Sequence, residues 1–413
     1  MPQYLSPGVY VEEVPSAVKP IAGVGTSTAG FVGQVADNVV MPAQPGKLAM
    51  ATDSLGKPLT DSLGKTILLT DSLGHPIPVL YTVAPAGSPQ LITSWESFKN
   101  TFGDFQAGNA TLAHAVYGFF NNGGTRCWVT RVVNGASVTA VTNALAGFRA
   151  IDDIALVAVP GATDPAIQGA VISHCENAGD RFAILDGQVT GTFTPAAIQG
   201  TTGNSNYAAL YFPQIQVFDP VTNAPAYVAP SGHIAGIYAR VDAQRGVHKA
   251  PANEVIRGAI GLAARLGKAD QDGLNPAGIN VIRNLNGNIT VWGARTLGGD
   301  ANNEWKYINV RRLFLFLRKS IDQGTQWVVF EPNDISLWAK ITRNVNAFLT
   351  NVWRSGALFG ATPQEAFYVR CDASTNPPEV RDLGQVVTEI GVAVVKPAEF
   401  VVFRISQWAG PGK

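Results

Sequence analysis

The stretch that decides the fold runs Ile154-Ala155-Leu156-Val157-Ala158-Val159, then Pro165–Ala178, then Arg181-Phe182-Ala183-Ile184-Leu185. Two short apolar runs flank a segment with helical character. That order favours parallel pairing, because a parallel return needs a crossover long enough to hold a helix. Upstream, Ser94 is placed to cap a helix carrying Trp95, Phe98 and Phe102, and Leu112, Val116, Phe119 and Phe120 mark a second. Asn121-Asn122-Gly123-Gly124 stops the second helix, and the apolar run Cys127–Val133 follows. The expected fold class is mixed α/β with several domains.

Downstream, residues 187–230 are loop-rich, with one strand expected around Ala208–Phe218. A helix over Ile234–Val241 follows the Ser231-Gly232 break. Ile279–Arg283 and Asn288–Trp292 fit a hairpin across Asn284-Leu285-Asn286-Gly287. The two longest helices are expected over Trp305–Ile321 and Ile335–Trp353. In the second, Trp338, Ile341, Val345, Phe348 and Val352 step by three, four, three and four, an amphipathic stripe. Asp334 or Asn333 caps this helix and Gly356 stops it.

Residues 34–90 differ in character. Thr52-Asp53-Ser54-Leu55-Gly56-Lys57 recurs as Thr60–Lys65 and, with His75 for Lys, as Thr70–His75. Spacings of eight and ten residues are too irregular for a solenoid. Asp-Ser-x-Gly fits a tight turn with Gly at positive φ, so the segment reads as three turns joining short strands in an exposed insertion.

Both ends read as extended arms. Val9-Tyr10-Val11-Glu12-Glu13-Val14 is rich in strand formers and is stopped by Pro15. The run from Glu399 through Phe400, Val401, Val402, Phe403, Arg404 and Ile405 lies beyond Lys396-Pro397. A terminal strand carries a full row of backbone donors and acceptors, each costing roughly 1–3 kcal/mol if buried unmatched. Pairing within the chain and addition to neighbouring subunits both satisfy them.

Thirty basic and thirty acidic residues give zero net charge, and only 15% of residues are charged. That balance argues against a protein whose main work is gripping nucleic acid. Either large buried cores or a surface covered by copies of the same chain accounts for such neutrality. No run approaches 18 apolar residues, Met1-Pro2-Gln3-Tyr4 lacks the pattern of a secretory signal, and Cys127, Cys175 and Cys371 are isolated. A reducing cytosol is the expected site of folding, and no cofactor is expected.

Candidate chemistry is thin. Leu63-Gly64-Lys65-Thr66 lacks the Gly that a phosphate loop needs at position 59, which is Leu, and Gly23-Val24-Gly25 lacks a third Gly at 28, which is Thr. His174-Cys175-Glu176 points in three directions on a helix. Asp270-Gln271-Asp272-Gly273 reads as a turn rather than a calcium loop. His233, Arg240, Asp242, Arg245 and His248 read as a helix end with solvated or paired charges, against an acid–base site.

Several motifs taken together resemble contractile tail sheath proteins. They are Tyr4-Leu5-Ser6-Pro7-Gly8-Val9-Tyr10-Val11-Glu12-Glu13, Thr28–Gly33, Pro230–Gly236, Arg245–Asn253, Leu274-Asn275 with Gly278-Ile279-Asn280, Trp292–Leu297, Phe330–Asn333 and Pro397–Phe400. The resemblance covers about residues 1–33 and 230–413. It implies a subunit of a phage tail, tailocin or related injection machine, stacked as hexameric rings in a helix around an inner tube. A baseplate triggers contraction in such machines, and a terminator caps the tail; contact with nucleic acid or membrane is not direct.

The same resemblance makes Val9, Tyr10, Val11, Glu12, Glu13 and Val14, and Phe400, Val401, Val402, Phe403, Arg404 and Ile405, strands donated to adjacent subunits. It divides the chain into an arm with the start of the core (1–33), an outer repeat insertion (34–90), an outer α/β domain (91–229), the core (230–398) and a second arm (399–413). The helix after Asp334 carries Lys340, Arg343 and Arg354 and no further acid, so these three are candidates to meet an acidic tube. Another strand-exchanging filament or capsid component, or a cytosolic α/β enzyme, are the alternatives.

Overall fold

The computed structural model describes residues 20–133, 135 and 137–404. The chain forms two compact units, one of residues 24–316 with the chain from 395 onward, the other of 317–394 with the segment ending at Gly23.

The larger unit is built on a nine-stranded sheet. Its order is Glu254–Val255, Asn288–Val291, Ile279–Leu285, Ala208–Phe212, Phe182–Asp186, Leu156–Ala158, Ala29–Gln34, Cys127–Val132, Gln90–Ile92. The six strands from Ile279–Leu285 to Cys127–Val132 run parallel, and each flanking strand pairs antiparallel with its inner neighbour. The strand–helix–strand reading of 154–185 is thus a pair of adjacent parallel strands.

The near-continuous apolar runs reflect burial on both faces. Phe31, Leu156, Ala158, Phe182, Ile184 and Tyr211 enter one core beneath the Ala110–Asn121 and Ser231–Arg245 helices. Their neighbours Val32, Val157, Val159, Ala183, Leu185 and Leu210 enter the other, beneath Val138–Gly147 and Pro165–Ala178. Side-chain alternation along each strand sorts one sequence run into two cores.

Several boundaries differ from the sequence reading. The single strand expected over 208–218 is two, Ala208–Phe212 and Ile215–Asp219, in different sheets. Pro213 between them offers no N–H to continue a ladder. Ser231-Gly232 is no break but the first turn of the Ser231–Arg245 helix. A Cβ on Gly232 would lie 2.3 Å from the Ala115 carbonyl oxygen, and one on Gly236 2.4 Å from that of Phe119. Those glycines allow two helix backbones to touch.

The helix placed at 305–321 begins at Ile308 and continues to Thr325. Asp270–Gly273 lies inside the Lys268–Leu274 helix, where Asp270 accepts from the Gly267 N–H, rather than in a turn. The compact units also divide the chain elsewhere than at 33 and 230. Ala29–Gln34 sits between two strands of the 91–229 segment, and Ile279–Leu285 pairs with a third, so these strands share its sheet.

The repeat segment forms three exposed tips, as its turn chemistry predicts. Asp53, Asp61 and Asp71 each accept from the backbone two and four residues on, and Gly56, Gly64 and Gly74 adopt φ of 77°, 78° and 83°. At the base, Leu59 N–H donates to Ala51, Ile67 to Leu59 and Ala51 to Ile67, closing a ring. Leu69, Ile77 and Ala49 close a second ring in the same sense. The uneven spacing of the repeats has its cause here: the chain steps from one ring to the other between Ile67 and Leu69.

Leu48 and Pro78 face each other where this module joins the chain. Replacing residues 49–77 by a two-residue turn is therefore expected to leave the subunit folded, with its melting temperature within a few degrees of the parent by calorimetry. A cooperative transition lost altogether would show that the module is part of the core.

In the smaller unit the Ile335–Arg354 helix follows the sequence reading closely. Asp334 accepts from the Leu337 N–H at 2.8 Å, and Gly356 takes φ of 82° just past the end. Trp338, Ile341, Val345, Phe348 and Val352 are all buried. The Phe367–Arg370 and Glu389–Val392 strands form a separate antiparallel pair, joined through the Pro378–Asp382 helix.

Candidate assembly surfaces

Three features bear on assembly: the root of the C-terminal arm, the strand pair of the smaller unit and the exposed face of its long helix. The residues Val9, Tyr10, Val11, Glu12, Glu13, Val14 and Ile405 lie outside the described residues.

Phe400, Val401, Val402 and Phe403 are 71%, 69%, 76% and 83% exposed and belong to no strand. Immediately before them, Glu399 is held in the larger unit. One carboxylate oxygen accepts from Asn275 Nδ2 at 2.7 Å and Arg295 Nε at 2.8 Å; the other accepts from Arg295 Nη2 and Tyr307 OH, both at 2.9 Å. Arg295 is 3% exposed and also donates to the Asn275 carbonyl and to Asp300. Burial opposes the charge on Glu399, but the bonds from Arg295, Asn275 and Tyr307 outweigh it and hold the carboxyl below its ordinary range.

The segment leading into the first strand is held comparably. Arg312 donates to both oxygens of Asp242 at 2.9 and 2.6 Å and to the Thr26 carbonyl at 2.9 Å, while the Thr26 hydroxyl donates to Asp242. The guanidinium also lies over the ring of Tyr238, whose hydroxyl meets that of Tyr211. Sequence reasoning missed both arginine sites. Arg295 and Glu399 stood in conspicuous motifs, Trp292–Leu297 and Pro397–Phe400, but nothing in either names the other as its partner.

In the two-stranded sheet of the smaller unit, Arg370 and Glu389 pair across the strands. Neither outer edge of Phe367–Arg370 and Glu389–Val392 joins another strand among the described residues. A two-stranded sheet alone is marginal in water, and an open edge is a template for a further strand.

Lys340, Arg343 and Arg354 lie on one face of the Ile335–Arg354 helix, Lys340 half-buried and the others exposed. None forms an ion pair among the described residues. Arg343 also borders an open groove of about 750 Å³ with Ile335, Trp338, Thr342 and Cys371.

Most of the polar groups that could serve catalysis are buried or paired. Asp186, at the end of its strand, accepts from Gly161 N–H and from Ser231 N–H and hydroxyl; burial pushes it up to about 6 against those bonds. Burial pushes His174 down to about 4 and His233 to about 3. Asp242 is the partner of Arg312, and Arg240 donates to Val255 and Asn122. Arg240 and Asp242 of that helix are thus paired and Arg245 at its end is exposed, in line with the reading of solvated or paired charges.

The fold is that of a contractile sheath subunit. The helical sheath of the anti-feeding prophage in its contracted state superposes with a TM-score of 0.72 at 28% identity, covering 98% of this chain and 99% of that one. The contracted PVC sheath complex of an extracellular contractile injection system gives 0.72 at 27%, covering 99% of each. The phage tail sheath protein central domain matches residues 134–297, and the phage tail sheath C-terminal domain matches 300–407. The chain belongs to the phage tail sheath family. The tail sheath protein of Vibrio phage KVP40 is 28% identical over 236 residues, 55% of this chain; the match spans about a third, 34%, of that relative's length.

Proposed function

We propose that this chain is the structural subunit of a contractile sheath. It polymerises as stacked helical rings of six around an inner tube and contracts to drive the tube through a target envelope. The exposed apolar run Phe400–Phe403, which pairs with no strand among the described residues, is the observation that carries the reading. The two arms donate strands to neighbouring copies, and the open edges of the 367–370 and 389–392 strand pair are suitable acceptors. The role is mechanical rather than enzymatic. Assembly takes place in the cytoplasm of the producing bacterium, with baseplate and terminator at the two ends. Electron microscopy of the purified chain, alone and with its tube protein, is expected to show striated sheaths. Closed shells or unstriated filaments would favour another strand-exchanging assembly, and monodisperse monomers an enzyme.

The unpaired Lys340, Arg343 and Arg354 are suited to an acidic tube surface. Each exposed pair contributes only roughly 0–1 kcal/mol, so several weak contacts give a joint that releases on contraction. Lys340→Glu with Arg343→Glu is expected to reduce sheath formation on tubes, most strongly at low salt, by pelleting assay. Unchanged tube-bound yield in the double variant would remove this face from the tube interface.

A further inference from the structure

We propose that Glu399 and Arg295 form a fixed clamp that sets the point and direction from which the C-terminal arm departs, so that Phe400 is the first residue free to follow a second copy of the chain. The inference rests on the sheath reading for the identity of the partner, but its geometry stands independently. All four lone-pair directions used by the Glu399 carboxylate are taken by three separate segments, at Asn275, Arg295 and Tyr307. Arg295 is in turn buried and held by the Asn275 carbonyl and Asp300. Exposure then changes within one residue, from a Glu399 side chain 18% exposed to a Phe400 71% exposed.

A bidentate guanidinium–carboxylate pair fixes direction as well as distance, which a single hydrogen bond does not. An unclamped tail samples a large volume, and ordering it on binding costs conformational entropy for each residue immobilised. A tail that departs from a fixed point in a fixed direction keeps its apolar residues near the position where a neighbour takes them, raising their effective concentration there. Glu399 is thus a positioning residue. Its function is exerted through Phe400–Phe403, which would make the contacts.

The test uses the full chain with spin labels at Val402→Cys and Val255→Cys, Cys371 being replaced by Ser; Cys127 and Cys175 are fully buried. Val255 is an exposed position in the same unit as the clamp. In the free subunit the clamp predicts a confined distance distribution, broadened several-fold by Glu399→Gln, with sheath yield in the unlabelled Glu399→Gln chain reduced at least tenfold. An unchanged distribution in Glu399→Gln overturns the clamp, and a broadened one with normal yield overturns its role in assembly.

Should Glu399→Gln fail to fold, Tyr307→Phe, which removes one hydroxyl, decides by the same readouts with a smaller expected shift. A chain truncated after Glu399 separates the two ideas. If it assembles like the parent, the exchange reading fails, while the distance measurement still judges the clamp.

Discussion

A chain lacking residues 400–413 is expected to fold normally and fail to polymerise, and a chain lacking residues 1–14 to behave the same way. For the C-terminal arm the argument starts from what the subunit loses. Phe400, Val401, Val402 and Phe403 are all more than two-thirds exposed, so removing them takes almost nothing from the core. Under the proposed strand donation the same four side chains become buried against a neighbour in the sheath. Full burial of a Val or Phe is worth roughly 1.5–3 kcal/mol, and each net backbone hydrogen bond of a donated strand adds roughly 0.5–1.5 kcal/mol. Even after the entropy of ordering the arm is subtracted, several kcal/mol disappear from every subunit contact. Since about 1.4 kcal/mol is a factor of ten in an equilibrium constant, the concentration needed for assembly rises by orders of magnitude. Light scattering and negative-stain microscopy read the loss of sheath, and calorimetry reads the intact fold. Normal sheaths from either truncated chain would exclude strand donation by that arm.

What was legible in the sequence is what depends on near neighbours. The stripe from Trp338 to Val352, the Asp334 cap and the turns at Asp53, Asp61 and Asp71 are each determined within one or two turns of chain. The apolar runs at 154–159 and 181–185, with a helix between them, likewise pointed to paired parallel strands. What escaped depends on partners far away in sequence. Gly232 reads as a breaker from its own propensity, and only the Ala110–Asn121 helix against it explains its place. Ala29–Gln34 reads as the start of the core after an arm, yet its central position in the sheet follows from pairing with strands nearly 100 and 130 residues later. The Glu399 site needs Arg295 and Tyr307, separated from it by 104 and 92 residues. Local chemistry set the turns and the long helix; the Glu399 and Arg312 anchors were set by topology.

Arg312→Ala is expected to be the most damaging single change in the larger unit. Arg312 and Asp242 side chains are 3% and 5% exposed, and loss of the guanidinium leaves a carboxylate away from water with the Thr26 hydroxyl as its remaining partner among the described residues. Breaking a buried pair by removing one member costs roughly 3–5 kcal/mol, because the desolvation of the other is no longer offset. At about 2–4 °C per kcal/mol for a large domain, the melting temperature falls by on the order of 10 °C. Arg312→Met with Asp242→Leu should recover most of that loss, since no buried charge is left unpaired; the Thr26 carbonyl and hydroxyl, which lose these partners, account for the remainder. The comparison separates stability from assembly. The pair ties Thr26, at the entry from the N-terminal segment, to the Ser231–Arg245 and Ile308–Thr325 helices. If the pair serves only to stabilise the unit, the double variant melts normally and assembles normally. If it also holds the entry of the N-terminal arm, the double variant melts normally but its sheaths are fewer. A single Arg312→Ala chain that melts within about 2 °C of the parent would contradict the buried-pair argument itself.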